Sequence, residues 1–316
     1  MDYRKLIKFG NSSHVISIPN TWIRKNKLKK GDLLYFTESK DGGIYLNPKE
    51  IIYESKDKEI KIDVYGKEIG LISKEILAAY INNYKMIYLF GKDLFKKNDE
   101  IKKNLSNLMG MEIMEETSDH LVVKDFLDIN TISIEDIIKK IDIITRSLIA
   151  DSKLSVNINN YENIYQRDQQ VNKLSFLLFK VIKFMMNNPN LFKDYNQLNL
   201  LGYWQLTNAL ENVSDEAKRI SRFITKSKPN KEMSKELIQI YSKIENYYIN
   251  VINCFYKKDK NLAFKLSLDR AQYNVDYDNY LEKYGNHKWI PNLVERSKIM
   301  LNEIYKILKV IYETYE

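Results

Sequence analysis

The stretch YWQLTNALENVSDEAKRISRFITK, residues 203–226, shows most clearly how this chain folds. Its apolar side chains recur at steps of three and four, the spacing that places them on one face of an α-helix. The pattern predicts a helix over 196–226 that buries this face against other helices in a bundle. The apolar residues of this seam are Leu206, Leu210, Val213, Ala217, Ile220 and Ile224.

The helical pattern extends through the C-terminal two thirds of the 316 residues. Only two of the ten glycines, Gly202 and Gly285, lie after Gly110. A sheet-rich fold needs many tight turns, so this region is predicted to be all-α. Prolines separate the helices, and a polar linker at Pro229 divides them into two three-helix repeats. The six predicted helices are 133–154, 159–187, 196–226, 232–257, 260–284 and 291–315.

The strands are predicted in the first 130 residues, which hold the other eight glycines. Residues 1–50 read as two hairpins around a short helix, Trp22–Lys27. Residues 51–130 alternate between strands and helices, with helices expected at 67–83 and 99–109, which predicts a small α/β layer that serves as a spacer or a sensor. The hairpin strands are predicted at Tyr3–Lys8, His14–Ile18, Leu33–Thr37 and Ile44–Leu46, with turns at Gly10–Ser13 and Asp41–Gly43.

The predicted fold class is therefore α+β, with an N-terminal β-hairpin domain, a small α/β middle segment and an all-α six-helix bundle. The domain boundaries are predicted at 1–50, 51–130, 131–228 and 229–316. A fifty-residue domain with so few apolar positions is too small to bury a core alone, so we expect a homodimer or a higher homo-oligomer.

Positive charge is concentrated at the N-terminus. Residues 1–50 carry ten basic and five acidic side chains, a net +5 of the chain's +8. A basic cluster on one small domain is typical of a protein that binds nucleic acid. The alternative is a solvated basic surface on a domain that is used only for dimerisation or partner binding.

Several protein classes are excluded or disfavoured. The single Cys254 allows no intramolecular disulfide and no multi-cysteine zinc site, and it agrees with a cytoplasmic location. No apolar run reaches the roughly 18–20 residues of a membrane span, so no membrane insertion is expected. No phosphate loop or nucleophile elbow is present, so we predict that the protein is not an enzyme. Asp119-His120 beside Lys124-Asp125 reads as an acid/base cluster or, more readily, as a solvated loop.

The N-terminal residues resemble a known family. The order Arg4-Lys5…Lys8-x-Gly10-Asn11-Ser12…Ile18-Pro19…Trp22…Leu28-x-x-Gly31-Asp32 is similar to the SpoVT/AbrB swapped-hairpin DNA-binding domain. The resemblance implies that two chains interleave their hairpins and that basic residues on the exposed strand face contact DNA. The DNA-binding residues that it implies are Arg4, Lys5, Lys8, Asn11, Ser12, Ser13, Arg24 and Lys25.

Three acidic residues stand out in the second and third bundle helices. Asp168 falls on the apolar seam of its helix, so its carboxylate needs a partner: a cation, Arg167, Lys173 or a backbone donor. Glu211 and Asp215 lie one turn apart, a spacing that is unfavourable for like charges. Lys218 and Arg219 offset that repulsion in one interpretation, and a bound metal ion offsets it in the other.

These helices resemble the PhoU family. The segments Tyr165-Gln166-Arg167-Asp168-x-x-Val171-Asn172-x-Leu174 and Leu210-Glu211-Asn212-Val213-Ser214-Asp215 are similar to its two acidic motifs. The resemblance implies two three-helix repeats, metal binding through E/D-x-x-x-D motifs, and regulation of phosphate uptake. It implies a Mg, Ca, Mn, Fe or Zn ion held by Asp168, Asn172, Glu211 and Asp215. Asn172 replaces an expected acid, as do Tyr273 and Ile299 in the second repeat.

Taken together, these features predict a transcriptional regulator whose basic N-terminal domain binds DNA. Its helical domain would sense phosphate status through a metal, a ligand, or a transporter or sensor-kinase partner. The alternative is an adaptor that docks on a phosphate transporter or sensor kinase and uses its hairpins only to dimerise. A metal-dependent hydrolase is a weaker third reading, because no general base lies near the carboxylates.

Overall fold

The computed structural model describes residues 3–38, 42–48, 58–189, 191–192 and 194–314. The chain divides into two compact units, 1–56 and 57–316. The predicted boundary between residues 50 and 51 lies outside the described residues. The further division of residues 51–316 into three domains stays an interpretation.

The N-terminal unit contains two antiparallel hairpins and one short helix. Strands β1 (Ile7–Phe9) and β2 (Ser13–Val15) pair with Lys8 opposite His14. Gly10 has a φ of +68°, a backbone conformation that glycine adopts without strain, and it turns the chain between them. Helix α1 (Asn20–Lys25) follows, and then β3 (Tyr35–Glu38) and β4 (Ile44–Asn47) form the second hairpin.

The predicted hairpins are confirmed, but their bounds differ. The first strand begins at Ile7 rather than Tyr3, because an isolated two-stranded ladder leaves its open end unpaired. Arg4 therefore precedes the strand instead of sharing a strand face with Lys8. The helix begins two residues early, directly after Pro19, and ends before Lys27, whose φ is +56°. Asp41, in the second predicted turn, lies outside the described residues.

The middle region forms a four-stranded sheet with two helices. Its sheet order is β5-β6-β8-β7, in which β5 and β6 are parallel and the other pairs are antiparallel. Helix α3 was predicted at 99–109, and that start is wrong: it begins at Leu94, which is buried with Ile101 and Leu105 on one face. The elements are β5 (Glu59–Asp63), α2 (Ile69–Ile81), β6 (Met86–Phe90), α3 (Leu94–Leu105), β7 (Met111–Glu116) and β8 (His120–Asp125).

The six predicted bundle helices are confirmed, each with its ends within two residues of the prediction. Ser133, Asn196, Asn230 and Asp259 cap four of them, each accepting a hydrogen bond from the backbone N–H three residues on. After a 3-10 turn at Ile129–Thr131, the helices are α4 (Ile134–Leu154), α5 (Tyr161–Asn187), α6 (Gln197–Ser227), α7 (Lys231–Lys257), α8 (Lys260–Tyr284) and α9 (Ile290–Thr314).

Helix α6 lies at the centre of the bundle. It packs against α4, α5 and α9, and its six predicted seam residues are all buried. A Cβ at Gly202 would lie 2.7 Å from the Thr314 side-chain oxygen, so glycine lets α6 and α9 approach closely there. The α+β arrangement of hairpins, α/β layer and helical bundle agrees with the predicted fold class. No helix among the described residues is long and apolar enough to cross a membrane.

A buried ion pair joins the α/β layer to the bundle. Lys180 of α5 is fully buried, and its Nζ lies 2.9 Å from Oδ2 of Asp125 at the end of β8. The same ammonium donates a hydrogen bond to the Tyr80 carbonyl oxygen at 3.0 Å and lies 4.4 Å from the Tyr80 ring centroid. Lys85, at 3.4 Å, is a second cation beside Asp125. These contacts explain why residues 57–316 form one compact unit.

We predict that Asp125→Ala lowers the free energy of unfolding by about 3–5 kcal/mol, because it leaves the buried Lys180 ammonium without its counter-ion. Lys180→Met costs less, because Asp125 retains Lys85. The Asp125→Asn/Lys180→Met double variant should be more stable than Asp125→Ala. Urea unfolding followed by circular dichroism measures all three, and an Asp125→Ala variant as stable as wild type contradicts the assignment.

Candidate functional site

The residues predicted to contact DNA all lie exposed in the N-terminal unit. Arg4 and Lys5 precede β1, and Lys8 lies within it. Arg24 and Lys25 occupy the last turn of α1. The polar residues Asn11, Ser12 and Ser13 lie between the two strands and at the start of β2.

Arg4, Lys5, Lys8, Arg24 and Lys25 are the positively charged residues of this set. None of them makes an ion pair with a residue in the described part of the chain. Arg4 donates a hydrogen bond to the Tyr3 carbonyl oxygen at 2.9 Å, which leaves its charge unneutralised. Cations of this kind are available to DNA phosphates, although the contacts themselves stay a prediction.

The N-terminal unit also exposes an unusual amount of apolar surface. No described residue within 3–48 is buried. Large apolar side chains lie open on both hairpins, and Leu33 is 73% exposed. A stable monomer seldom exposes so much apolar surface on so small a unit. The exposed set is Tyr3, Leu6, Ile7, Phe9, Val15, Ile16, Leu33, Phe36, Ile44, Tyr45 and Leu46.

A second candidate site lies between helices α5 and α6, and we call its residues Asp168, Glu211, Asp215, Lys218 and Arg219 the acidic cluster. Asp168 is fully buried, as its seam position predicts. The Lys218 Nζ lies 2.6 Å from Oδ2 of Asp168 and 2.6 Å from Oδ1 of Asp215. An Arg219 guanidinium nitrogen lies 2.5 Å from the other Asp215 oxygen.

Asp168 finds a different partner from those the sequence suggested. Arg167 was one of the predicted partners, but it pairs with Asp151 of α4 instead. The actual partners are Lys218 and Ser214, whose hydroxyl donates to Asp168 at 3.3 Å. The physical reason is the packing of α5 against α6, which brings residues nearly fifty positions apart into contact. The predicted offset of Asp215 by Lys218 and Arg219 is confirmed.

Burial and mutual repulsion govern the electrostatics of the acidic cluster. Burial raises the pKa of Asp168. Burial also raises the pKa of Glu211, and the nearby charges of Asp215 and Asp168 raise it further. Burial alone would lower the pKa of Lys218, but its hydrogen bonds to Asp168 and Asp215 outweigh that effect, so its pKa is raised. Lys218 is therefore held in its charged form.

The donor set does not fit a metal ion in this arrangement. The ammonium of Lys218 lies equally close to Asp168 and Asp215, where a bridging cation would sit. Among the described residues, no group of three or more His, Cys, Asp or Glu side chains has an arrangement that could hold a metal. The Asn172 Oδ1 atom is buried without a hydrogen-bond partner in the described chain. Metal binding by Asp168, Asn172, Glu211 and Asp215 stays a prediction.

The second repeat contributes a cation to a buried carboxylate on α6. Arg296 of α9 lies 3.5 Å from the buried carboxylate of Glu216 on α6, and Arg219 lies 2.6 Å from the same oxygen. Tyr273 packs its ring against Tyr247, with the centroids 4.9 Å apart. The charged residues of this region therefore join α6 to α9.

Sequence reasoning missed Asp142, another buried carboxylate. It accepts hydrogen bonds from Arg146 Nε at 2.8 Å, the Tyr248 hydroxyl at 2.9 Å and the Tyr256 hydroxyl at 3.0 Å. These bonds connect α4 to α7. The sequence pattern does predict the burial of Asp142, because this residue follows Ile138 by one helical turn and so falls on the apolar face of its helix.

His120 lies at the exposed β7–β8 turn. Its Nε2 is 3.0 Å from Glu115 and its Nδ1 is 3.2 Å from Asp119, and hydrogen bonds to both carboxylates raise its pKa. Asp125 points instead to Lys180. His120 and Asp119 therefore lie in a solvated turn, the interpretation that the sequence favours, and Asp125 does not join them in an acid/base cluster.

The N-terminal part of the chain is similar to a known protein family. The family model described as "Antidote-toxin recognition MazE, bacterial antitoxin" matches residues 7–63. The matched residues include most of the 4–32 segment that resembles the SpoVT/AbrB domain, and they make up less than a fifth of the chain. A search of curated proteins found no significant match.

A solved structure is similar to the remainder of the chain. The crystal structure of PhoU from Pseudomonas aeruginosa aligns with a TM-score of 0.46 and 12% sequence identity, covering 57% of this chain and 91% of that one.

We predict that Glu211→Gln raises stability at neutral pH. A carboxyl whose pKa is raised by folding favours the folded state below its unfolded pKa and opposes it as the pH rises through the folded pKa. An amide in its place removes the repulsion from Asp168 and Asp215, so the gain should be present at pH 7 and vanish at acid pH. Urea unfolding between pH 4 and pH 8 measures it, with Glu295→Gln on the exposed face of α9 as the control. Equal stability changes for both variants at pH 7 would contradict the assignment.

Proposed function

We propose that this protein is a homodimeric, non-enzymatic transcription regulator that binds DNA through its N-terminal unit and controls phosphate uptake and homeostasis. The observation that carries the proposal is the set of five exposed cations without described ion-pair partners, three of which, Lys8, Arg24 and Lys25, lie in the segment that is similar to a MazE-type domain. A cytoplasmic location is part of the proposal.

DNA binding follows from charge and geometry together. Backbone phosphates contribute much of the affinity of a protein for DNA, and lysine and arginine are the side chains that neutralise them. Lys8 lies on a strand beside a tight turn, and Arg24 and Lys25 lie at one end of a short helix. Asn11, Ser12 and Ser13 add short polar side chains that donate to phosphate or base edges.

Dimerisation follows from the exposed apolar surface of the same unit. A second copy of the chain would cover the hairpin side chains that one copy leaves open. Two-fold symmetry would also duplicate the basic residues, so that a dimer presents ten of these cations. The resemblance to the swapped-hairpin family supports an exchange of hairpins as the way in which the two copies associate.

In this proposal, the helical unit receives the signal that reports phosphate status. Its two acidic segments resemble those of the PhoU family, and this resemblance supports the link to phosphate uptake. The protein that binds the helical unit and delivers this signal would be a phosphate transporter or a sensor kinase. In the alternative adaptor function, the hairpins only dimerise the protein, and association with DNA is absent or weakly dependent on salt.

For DNA binding, we predict that replacing Arg4, Lys8, Arg24 and Lys25 together by Ala abolishes retention of the protein's own promoter region in a gel shift. In wild type, log Kobs should fall steeply with log salt, by about 0.9 for each phosphate contact. The matched control replaces Lys96, Lys140, Lys235 and Lys265, four exposed lysines of residues 57–316, by Ala. It removes the same charge and should bind as wild type does. Equal binding by both quadruple variants would favour the adaptor.

For dimerisation, we predict that Phe36→Asp shifts the protein from dimer to monomer, because a charge replaces an apolar side chain that the second copy covers. Phe36 is 68% exposed in one chain. Light scattering coupled to size-exclusion chromatography measures the mass. The control is Leu268→Asp on α8, where the side chain is 78% exposed, and it should leave the dimer intact. A wild-type monomer at micromolar concentration would contradict the proposal.

A further inference from the structure

We infer that Lys218 is a built-in cation of the acidic cluster and that the site between α5 and α6 binds no divalent metal ion while Lys218 is in place. The inference goes beyond the proposed function, because it identifies what neutralises this site. It concerns the helical unit alone, so its failure would leave the DNA-binding proposal standing.

The ammonium of Lys218 occupies the point between the two carboxylates. The Lys218 Nζ lies 2.6 Å from one oxygen of Asp168 and 2.6 Å from one oxygen of Asp215, on two different helices. Divalent cations contact carboxylate oxygens at about 2.0–2.6 Å, so a bridging ion would need the point that the ammonium occupies. Both cannot be there together.

The ammonium and its partner Asp168 are both largely buried. Asp168 is fully buried, and the Lys218 side chain is only 16% exposed, so the pair is shielded from solvent. A buried carboxylate must be paired to stay charged, and the pairing here comes from the chain itself. Arg219 takes the second oxygen of Asp215, which leaves that carboxylate with a cation on each oxygen.

The ammonium is also covalently attached to the site. Lys218 is on α6, three residues after Asp215, so its side chain is held at high local concentration beside both acids. A free ion must reach the site from solution and displace it. The expected consequence is a helix–helix contact whose stability does not depend on the metal content of the cell.

The experiment titrates Mn²⁺ into metal-stripped full-length protein and follows bound ion by electron paramagnetic resonance. Wild type and Asp168→Asn should bind Mn²⁺ equally weakly. Lys218→Ala removes the ammonium and exposes the carboxylates, so it should bind at least about tenfold more tightly than wild type, with one ion per chain. Lys218→Ala/Asp168→Asn should lose that gain.

Two controls separate this effect from a general gain of acidic charge. Lys218→Arg keeps a cation in place and should bind Mn²⁺ as wild type does. Lys243→Ala releases Asp276 from an exposed pair at 2.7 Å without bringing it to a second carboxylate, and it should also gain nothing. A gain in Lys243→Ala equal to that in Lys218→Ala overturns the inference.

A further measurement covers the case in which Lys218→Ala does not fold. The melting temperature of wild type should be the same in EDTA and in excess Mn²⁺. A rise in melting temperature with Mn²⁺ that Asp168→Asn removes would overturn the inference, as would tight wild-type binding that requires Asp168. A folded Lys218→Ala protein without a gain in Mn²⁺ binding would overturn it too.

Discussion

The packing of α6 against three other helices is the constraint on which the helical unit depends. A helix that is covered on several sides cannot leave its charged residues to solvent, so each buried carboxylate must find a cation or hydrogen-bond donors inside the chain. Asp168 has Lys218 and Ser214, and Glu216 has Arg219 and Arg296. All of these contacts except Glu216–Arg219, which lies within α6, join two helices. The contacts that neutralise the buried charges therefore also fix the positions of the helices.

The same constraint acts where the α/β layer meets the bundle. Lys180 is fully buried, and burial lowers the pKa of its ammonium, while the adjacent Asp125 opposes that effect. The buried ion pair fixes the orientation of the layer, because any other orientation leaves the Lys180 ammonium buried without its counter-ion. The α/β layer therefore belongs to the helical unit rather than to a loose spacer. The described part of residues 1–56 differs in kind, since its large apolar side chains are exposed and the five basic residues predicted to contact DNA make no ion pair with another described residue.

This contrast connects structure and proposed function. The buried charges described in residues 57–316 are paired within the chain, whereas the N-terminal unit leaves its five basic residues and its apolar side chains available for partners. The cations suit a polyanion and the apolar side chains suit a second copy of the chain. The acidic segments of the bundle, although they resemble metal-binding motifs, use Lys218 as their cation.

The sequence by itself determined the helices, the hairpins and the basic N-terminus, because apolar periodicity, turn residues and charge are local properties of the chain. The apolar seam of α6 predicted that helix, and the apolar seam of α5 placed Asp168 in the core. Local patterns also explain the errors, since the start of α3 at Leu94 depends on which face the sheet covers. Only the tertiary structure decided which residues meet: Asp168 with Lys218, Asp125 with Lys180, and Asp142 with two tyrosines of α7. The packing of the helices determines which residues far apart in sequence come into contact. The spacing of residues along the chain does not predict those contacts.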